Sequence, residues 1–123
     1  MKIDIHSHIL PGIDDGARTL EESVLLVSEM AKWGLERITC TPHITKKFRN
    51  TQESIREKFD ILSDAVISNG LDIELRMSAE YRLNPETWPE ILAQNQLMPI
   101  EDQYILMEFP INDPSEMGGL IPM

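Results

Sequence analysis

The residues of this chain best suited to chemistry stand near its start. His6 and His8 are separated by one residue, and Asp14 and Asp15 follow within a glycine-containing loop. In an extended segment residues i and i+2 point to one side, so the two imidazoles are expected to offer nitrogens to a single point in space. That is the geometry of a metal site. Taken alone, the pair reads equally well as two surface histidines ending a strand, and Asp14-Asp15-Gly16 as a plain turn. The elements that place the remaining histidines and carboxylates decide between these readings.

Lys2 to Ile5 predicts a first strand. Thr19-Leu20-Glu21-Glu22 has the form of a capping box, and Leu20, Val24, Val27 and Ala31 recur at helical spacing until Gly34. A helix over about 20 to 33 follows. Leu35 to Cys40 predicts a second strand, with Ile38 and Cys40 on one face. Ile55, Phe59, Leu62 and Val66 mark a second helix that ends at Asn69-Gly70. Leu71 to Met77 predicts a third strand, Asn84-Pro85 or Thr87 opens a short helix through about Gln94, and Tyr104 to Met107 predicts a fourth strand. The order β-α-β-α-β-α-β implies an α/β fold of about four parallel strands joined by helical crossovers.

In such folds functional groups gather at the carboxyl ends of the strands. His6 and His8 close the first strand, His43 follows the second in Thr41-Pro42-His43, Glu80 follows the third and Glu108 closes the fourth. Every histidine of the chain stands at such an end, so three imidazoles and at least two carboxylates are expected on one rim. Asp15 is placed as a further ligand, whereas Asp14 reads as a turn or cap residue.

A net charge of −10 disfavours general binding to nucleic acid, which needs clustered Lys and Arg to neutralise phosphates. A single cysteine, Cys40, excludes an internal disulfide and suits a reducing compartment. No stretch approaches the ~20 apolar residues of a membrane span or has the form of a signal peptide. A cytoplasmic location is the expectation.

Imidazole and carboxylate without thiolate suit zinc, manganese or iron. Bridging carboxylates can hold two ions that clamp the attacking and leaving oxygens of a phosphoryl group, which makes phosphate-ester hydrolysis the natural chemistry. Cysteine-dependent phosphatase chemistry is disfavoured. In it an arginine closes a glycine-rich loop after the cysteine, whereas here position 46 is Lys46 and the loop has no glycine. Cys40 is read as a small buried strand residue. Lys46, Lys47 and Arg49 form a basic cluster after His43, read as a solvated loop or as a contact for a phosphorylated substrate.

Asp4-x-His6-x-His8, Gly12-Ile13-Asp14-Asp15-Gly16, Thr41-Pro42-His43, Ala79-Glu80-Tyr81 and Leu106-Met107-Glu108-Phe109 occur in that order. Together they resemble the N-terminal part of the bacterial metal-dependent protein-tyrosine phosphatases of the polymerase-and-histidinol-phosphatase (PHP) superfamily, of capsular and exopolysaccharide loci. The resemblance runs from residue 1 to about 112. It implies a distorted (β/α) barrel, here a partial one, holding two or three metals, commonly manganese, with zinc or iron as alternatives. It implies hydrolysis of phosphotyrosine on a partner tyrosine autokinase by a metal-bound hydroxide, with no protein nucleophile. By position His6, His8, Asp15, His43, Glu80 and Glu108 match family metal ligands.

Family members are about twice as long and carry further histidines and arginines, so the chain is expected to be a front half, with residues 1–112 as half a barrel and 113–123 as an irregular tail. The edge of the fourth strand is expected to invite self-association. The same ligand set also fits a small-molecule phosphatase or a phosphodiesterase of the superfamily, or a metal-binding module without catalysis.

Overall fold

The computed structural model describes residues 1–82, 89, 93 and 97–108. Among the described residues six strands and two helices follow in the order β1 (Ile3–Asp4), α1 (Leu20–Lys32), β2 (Arg37–Cys40), β3 (His43–Ile44), α2 (Gln52–Ser68), β4 (Glu74–Met77), β5 (Glu80–Arg82) and β6 (Leu106–Glu108). All strand pairings are parallel, as expected of strands joined by crossovers. The helix predicted over 84 to 94 lies outside the described residues, apart from Pro89 and Ala93, and so does the predicted tail.

The four predicted strands are reorganised in one respect. β1-β2-β4 form one sheet and β3-β5-β6 a second, because the second and third predicted strands each continue past a break. At the first break Pro42 has no N–H to donate. At both breaks backbone bonds carry the pairing across, from Ser78 N–H to the Cys40 carbonyl (2.8 Å) and from Glu80 N–H to the Pro42 carbonyl (2.9 Å). His43 and Glu80, expected in loops, therefore stand opposite each other in paired strands. β6 begins two residues later than predicted, and Tyr104 bridges back to Ile100 instead.

Both helices start where the sequence supplies caps. Thr19 accepts from the N–H of Glu22 (3.1 Å), but the expected capping box is only half formed, since the Glu22 carboxylate accepts from Arg18 N–H instead. Thr51 and Ser54 make the full reciprocal box on α2. Val27, Ile55, Leu62 and Val66 of the helices share one buried core with Ile38 and Cys40 of β2, and α2 packs on both α1 and β4. Cys40 is fully buried, and desolvation pushes its thiol up to about 12, which leaves it an inert core residue. On the opposite face of β2 and β4, Arg37 and Arg76 each bond both Glu74 and Glu101, tying the 100–104 turn to the sheet.

Candidate metal centre

β1 ends at Asp4, so His6 and His8 lie beyond the strand that was expected to carry them. Their alternation survives because Ser7 between them is pegged to the end of β2. The buried Ser7 hydroxyl donates to the Thr39 carbonyl (2.7 Å), its N–H donates to Thr41 Oγ1 (3.0 Å), and its carbonyl accepts from Thr41 N–H (2.8 Å). With Ser7 turned inward, its two neighbours are presented together outward. His6 Nε2 and His8 Nε2 lie 3.2 Å apart.

Glu80 reaches the same point from β5. Its Oε2 lies 3.0 Å from His6 Nε2 and 2.8 Å from His8 Nε2. An ion ~2.1 Å from each ligand sets neighbouring ligand atoms about 3.0 Å apart at right angles and about 3.4 Å apart in a tetrahedron. The three atoms fit one coordination sphere. His43 faces the same carboxylate through Nδ1 (3.5 Å), with Glu108 Oε2 at 3.7 Å and Asp15 Oδ1 3.4 Å from its Nε2. All six candidate ligands thus converge, in overlapping groups that share His8, His43 and Glu80. The His8 and His43 rings stack at 4.4 Å.

Asp14, which reads as a turn or cap residue in the sequence, does more than close a turn. It does close a turn, with Oδ1 accepting from Gly16 N–H (2.9 Å). Its other oxygen accepts from His43 N–H and pairs with His8 Nδ1, both at 3.0 Å, and its side chain is fully buried. Burial pushes its pKa up, but the hydrogen bonds from His8, Gly16 and His43 outweigh this and hold it below the ordinary carboxylate value. An ionised carboxylate only accepts, so His8 Nδ1 carries the proton. The pKa of His8 is raised, chiefly by that bond, against desolvation.

The tautomer has a consequence for the inner atoms. In neutral His8 the Nε2 lone pair points toward Glu80 Oε2 at 2.8 Å, and two lone pairs at that distance need a proton or a metal cation between them. His43 Nδ1 is buried and hydrogen-bonds nothing among the described residues. Four carboxylates around three imidazoles, an orphaned ring nitrogen and the carboxylate–histidine pairing of Asp14 with His8 are the donor chemistry of a divalent-metal site.

The basic loop is placed differently from the ligands. Lys46, Lys47 and Arg49 are all exposed, and Arg49 Nε folds back onto the Lys46 carbonyl (3.3 Å). Lys47 Nζ lies over the Phe48 ring at 5.3 Å, and Phe48 stacks near-parallel on His43 at 5.9 Å. No sequence pattern singled out Phe48.

These features define a parallel α/β chain with a histidine and carboxylate centre where its strands end. The chain belongs to the capsular polysaccharide synthesis family CpsB/CapC, which it matches over residues 2–117. It is 34% identical over 112 residues to the tyrosine-protein phosphatase YwqE of Bacillus subtilis, covering 89% of this chain and 44% of that protein. It is 31% identical over 119 residues to the tyrosine-protein phosphatase CpsB of Streptococcus pneumoniae, covering 89% and 46%. A solved structure, from a study of YwqE and CpsB as metal-dependent tyrosine phosphatases, matches with a TM-score of 0.78 at 34% identity, over 88% of this chain and 44% of that one. The chain therefore spans less than half the length of these relatives.

Proposed function

We propose that this chain carries the N-terminal metal-binding part of a metal-dependent protein-tyrosine phosphatase, with His6, His8, Asp15, His43, Glu80 and Glu108 as ligands. The observation that carries the reading is the meeting of His6 Nε2, His8 Nε2 and Glu80 Oε2 within 2.8 to 3.2 Å of one another, at a point where no proton can satisfy all three. The relatives supply the ester: those named above are tyrosine-protein phosphatases. The two staggered parallel sheets, broken at Pro42 and Ala79, are read as part of a (β/α) barrel of the PHP type.

Two or three divalent ions, manganese first and zinc or iron as alternatives, fit the mixed nitrogen and oxygen donor set. When bound, such ions acidify water and neutralise phosphoryl oxygens. The chain's own residues prepare that chemistry. Asp14 holds the proton on His8 Nδ1 and so keeps Nε2 free to ligate, and its bond to His43 N–H fixes the second imidazole relative to the first. Glu80, its side chain almost fully buried, faces all three imidazoles and would hold an ion together with them. Lys46, Lys47 and Arg49 offer positive charge beside His43 to a phosphorylated protein, for which a tyrosine autokinase of capsule synthesis is the proposed partner.

The test is hydrolysis of a phosphotyrosine peptide, histidinol phosphate and a phosphodiester by the purified chain with added manganese, beside a His6→Ala variant. Preferential release of phosphate from the peptide, lost in the variant, is expected. Preference for histidinol phosphate or the diester moves the assignment elsewhere in the superfamily. Manganese binding without hydrolysis of any ester makes the chain a metal-binding module.

A further inference from the structure

We infer that Asn50 is a positioning residue that sets the distance between the two loops bearing Asp15 and His43. The inference rests on the metal reading of the centre. Asn50 lies outside the ligand set and just before Thr51, the cap of α2. Its Nδ2 donates twice, to the carbonyl of Ile13 (3.0 Å) and to the carbonyl of His43 (2.8 Å). Its Oδ1 accepts from Ser54 Oγ (3.2 Å), and its backbone N–H donates to Phe48 (2.9 Å). Two carbonyl acceptors leave no freedom in the amide assignment, because the oxygen in that place would face two other oxygens.

Asn50 thereby completes a second tether between the same two loops. One tether is the Asp14 carboxylate on His43 N–H, and the other runs from the Ile13 carbonyl through the Asn50 amide to the His43 carbonyl. His43 is thus held on both sides of its Cα, by groups that flank or belong to the aspartate pair. Between the tethers lies the 3.4 Å approach of His43 Nε2 to Asp15 Oδ1, the most exposed of the candidate ligands. Asn50 is joined directly to Thr51, the cap of α2, so its own backbone carries the restraint into a helix whose Ile55 and Leu62 are fully buried. The amide is therefore the link by which the helix fixes the loop. Cutting it frees the Asp15 and His43 side of the centre while the Ser7 peg still holds His6 and His8.

The chain has three histidines, so an imidazole nitrogen correlation spectrum reads each ligand separately during a zinc titration. In Asn50→Ala, His43 is expected to need at least about tenfold more zinc to saturate, as for other outer contacts of metal ligands. His6 should saturate as in the wild type. Asn50→Ser, which keeps one donor, is expected to fall between them and serves if the alanine variant does not fold. Ser54→Ala is the control, since it removes half of the capping box and one bond to Asn50 but neither bond to the loops. It should lower thermal stability without separating His43 from His6. If His43 and His6 still titrate together in the Asn50 variants, or if Ser54→Ala separates them equally, the inference is wrong. If no wild-type imidazole responds to zinc, the metal reading fails and takes this inference with it.

Discussion

Gly16 gives the most direct test of how the first loop is held. A Cβ built at this position would lie 2.1 Å from the His8 carbonyl oxygen, 2.6 Å from His8 Cβ and 3.0 Å from its carbonyl carbon. These are backbone or backbone-fixed atoms, so Gly16→Ala cannot be relieved by a rotamer change. Restoring even a tight 3.4 Å contact with the oxygen moves the chains apart by about 1.3 Å. The Ala17 N–H bond to the same carbonyl, now 3.0 Å, is lost by such a movement. Overpacking of this kind costs about 1–3 kcal/mol and the hydrogen bond about 1 more, for a total of about 2–4 kcal/mol. For a domain of this size that is roughly 8–16 °C in melting temperature. The movement also carries His8 Nε2 out of the ~0.2 Å tolerance of a metal ligand, so metal affinity is expected to fall at least about tenfold. Gly70→Ala is the comparison. Gly70 has φ +68° but nothing within 4 Å of its missing Cβ, so it should cost only about 1–2 kcal/mol of left-handed backbone strain and leave metal binding unchanged. Urea denaturation and calorimetric manganese titration measure both effects. A Gly16→Ala variant within 0.5 kcal/mol of wild type and with unaltered affinity would refute the reasoning.

Asp14→Asn keeps the shape of the side chain but removes the charge that fixes the His8 proton, and is expected to weaken metal binding by about 10- to 100-fold. Calorimetry checks it, and an unchanged affinity would return Asp14 to the role of a turn residue. Protons compete with metal at His8, whose pKa is raised above 6.5, so affinity should already be falling as the pH drops through the region above 6.5. Equal manganese affinity at pH 5 and pH 7.5 would contradict the histidine ligands. In a chelator the His8–Asp14 pair makes the opposite demand. The His8 contribution is complete below 6.5 and lost as the pH rises through its raised value, and the Asp14 contribution is complete above 3.8 and lost as the pH falls through its lowered one. Metal-free stability to urea should therefore decrease from pH 6 to pH 8, with a flatter profile in Asp14→Asn.

The element order was legible because long periodic segments announce themselves. Val24, Val27 and Ala31 define α1, and Ile55, Phe59, Leu62 and Val66 define α2, with Gly34 and Gly70 ending both. The split into two sheets was not, since β3 and β5 are two and three residues long and carry no alternation of their own. Five of the six candidate ligands stand after strands in the sequence and Asp15 in the glycine-containing turn, and the fold brings all six together. The alternation of a strand predicts the alignment of His6 and His8, whereas the Ser7 hydroxyl and backbone on Thr39 and Thr41 provide it. Asp14 forms the turn that Asp-Asp-Gly announces, but its bonds to His8 and His43 join segments that no local pattern connects. Asn50 and Phe48 carry no signal in the sequence, because the Ile13 carbonyl that Asn50 ties to His43 lies thirty-seven residues away and Phe48 acts by stacking on a ring.

The hydrogen bonding around this centre is lopsided. Outer atoms are satisfied: His8 Nδ1 by Asp14, Asp14 by three donors, and His43 N–H and C=O by the two tethers. Inner atoms are not, since His8 Nε2 faces Glu80 Oε2 and His43 Nδ1 is buried with no hydrogen-bond partner among the described residues. A buried polar atom left unpaired costs about 1–3 kcal/mol, so a fold selected for stability alone would turn these rings or protonate them. The outer bonds forbid the rings from turning and, through Asp14, assign the single proton of neutral His8 to the far nitrogen. What remains is a set of lone pairs held against their mutual repulsion, which a divalent cation relieves at several atoms simultaneously. Binding should then return stability to the fold, by about 2.7 kcal/mol at an ion concentration a hundred times the dissociation constant. The same bonds that stabilise the outer atoms hold the inner ones unpaired, and so make the centre ready for a divalent ion.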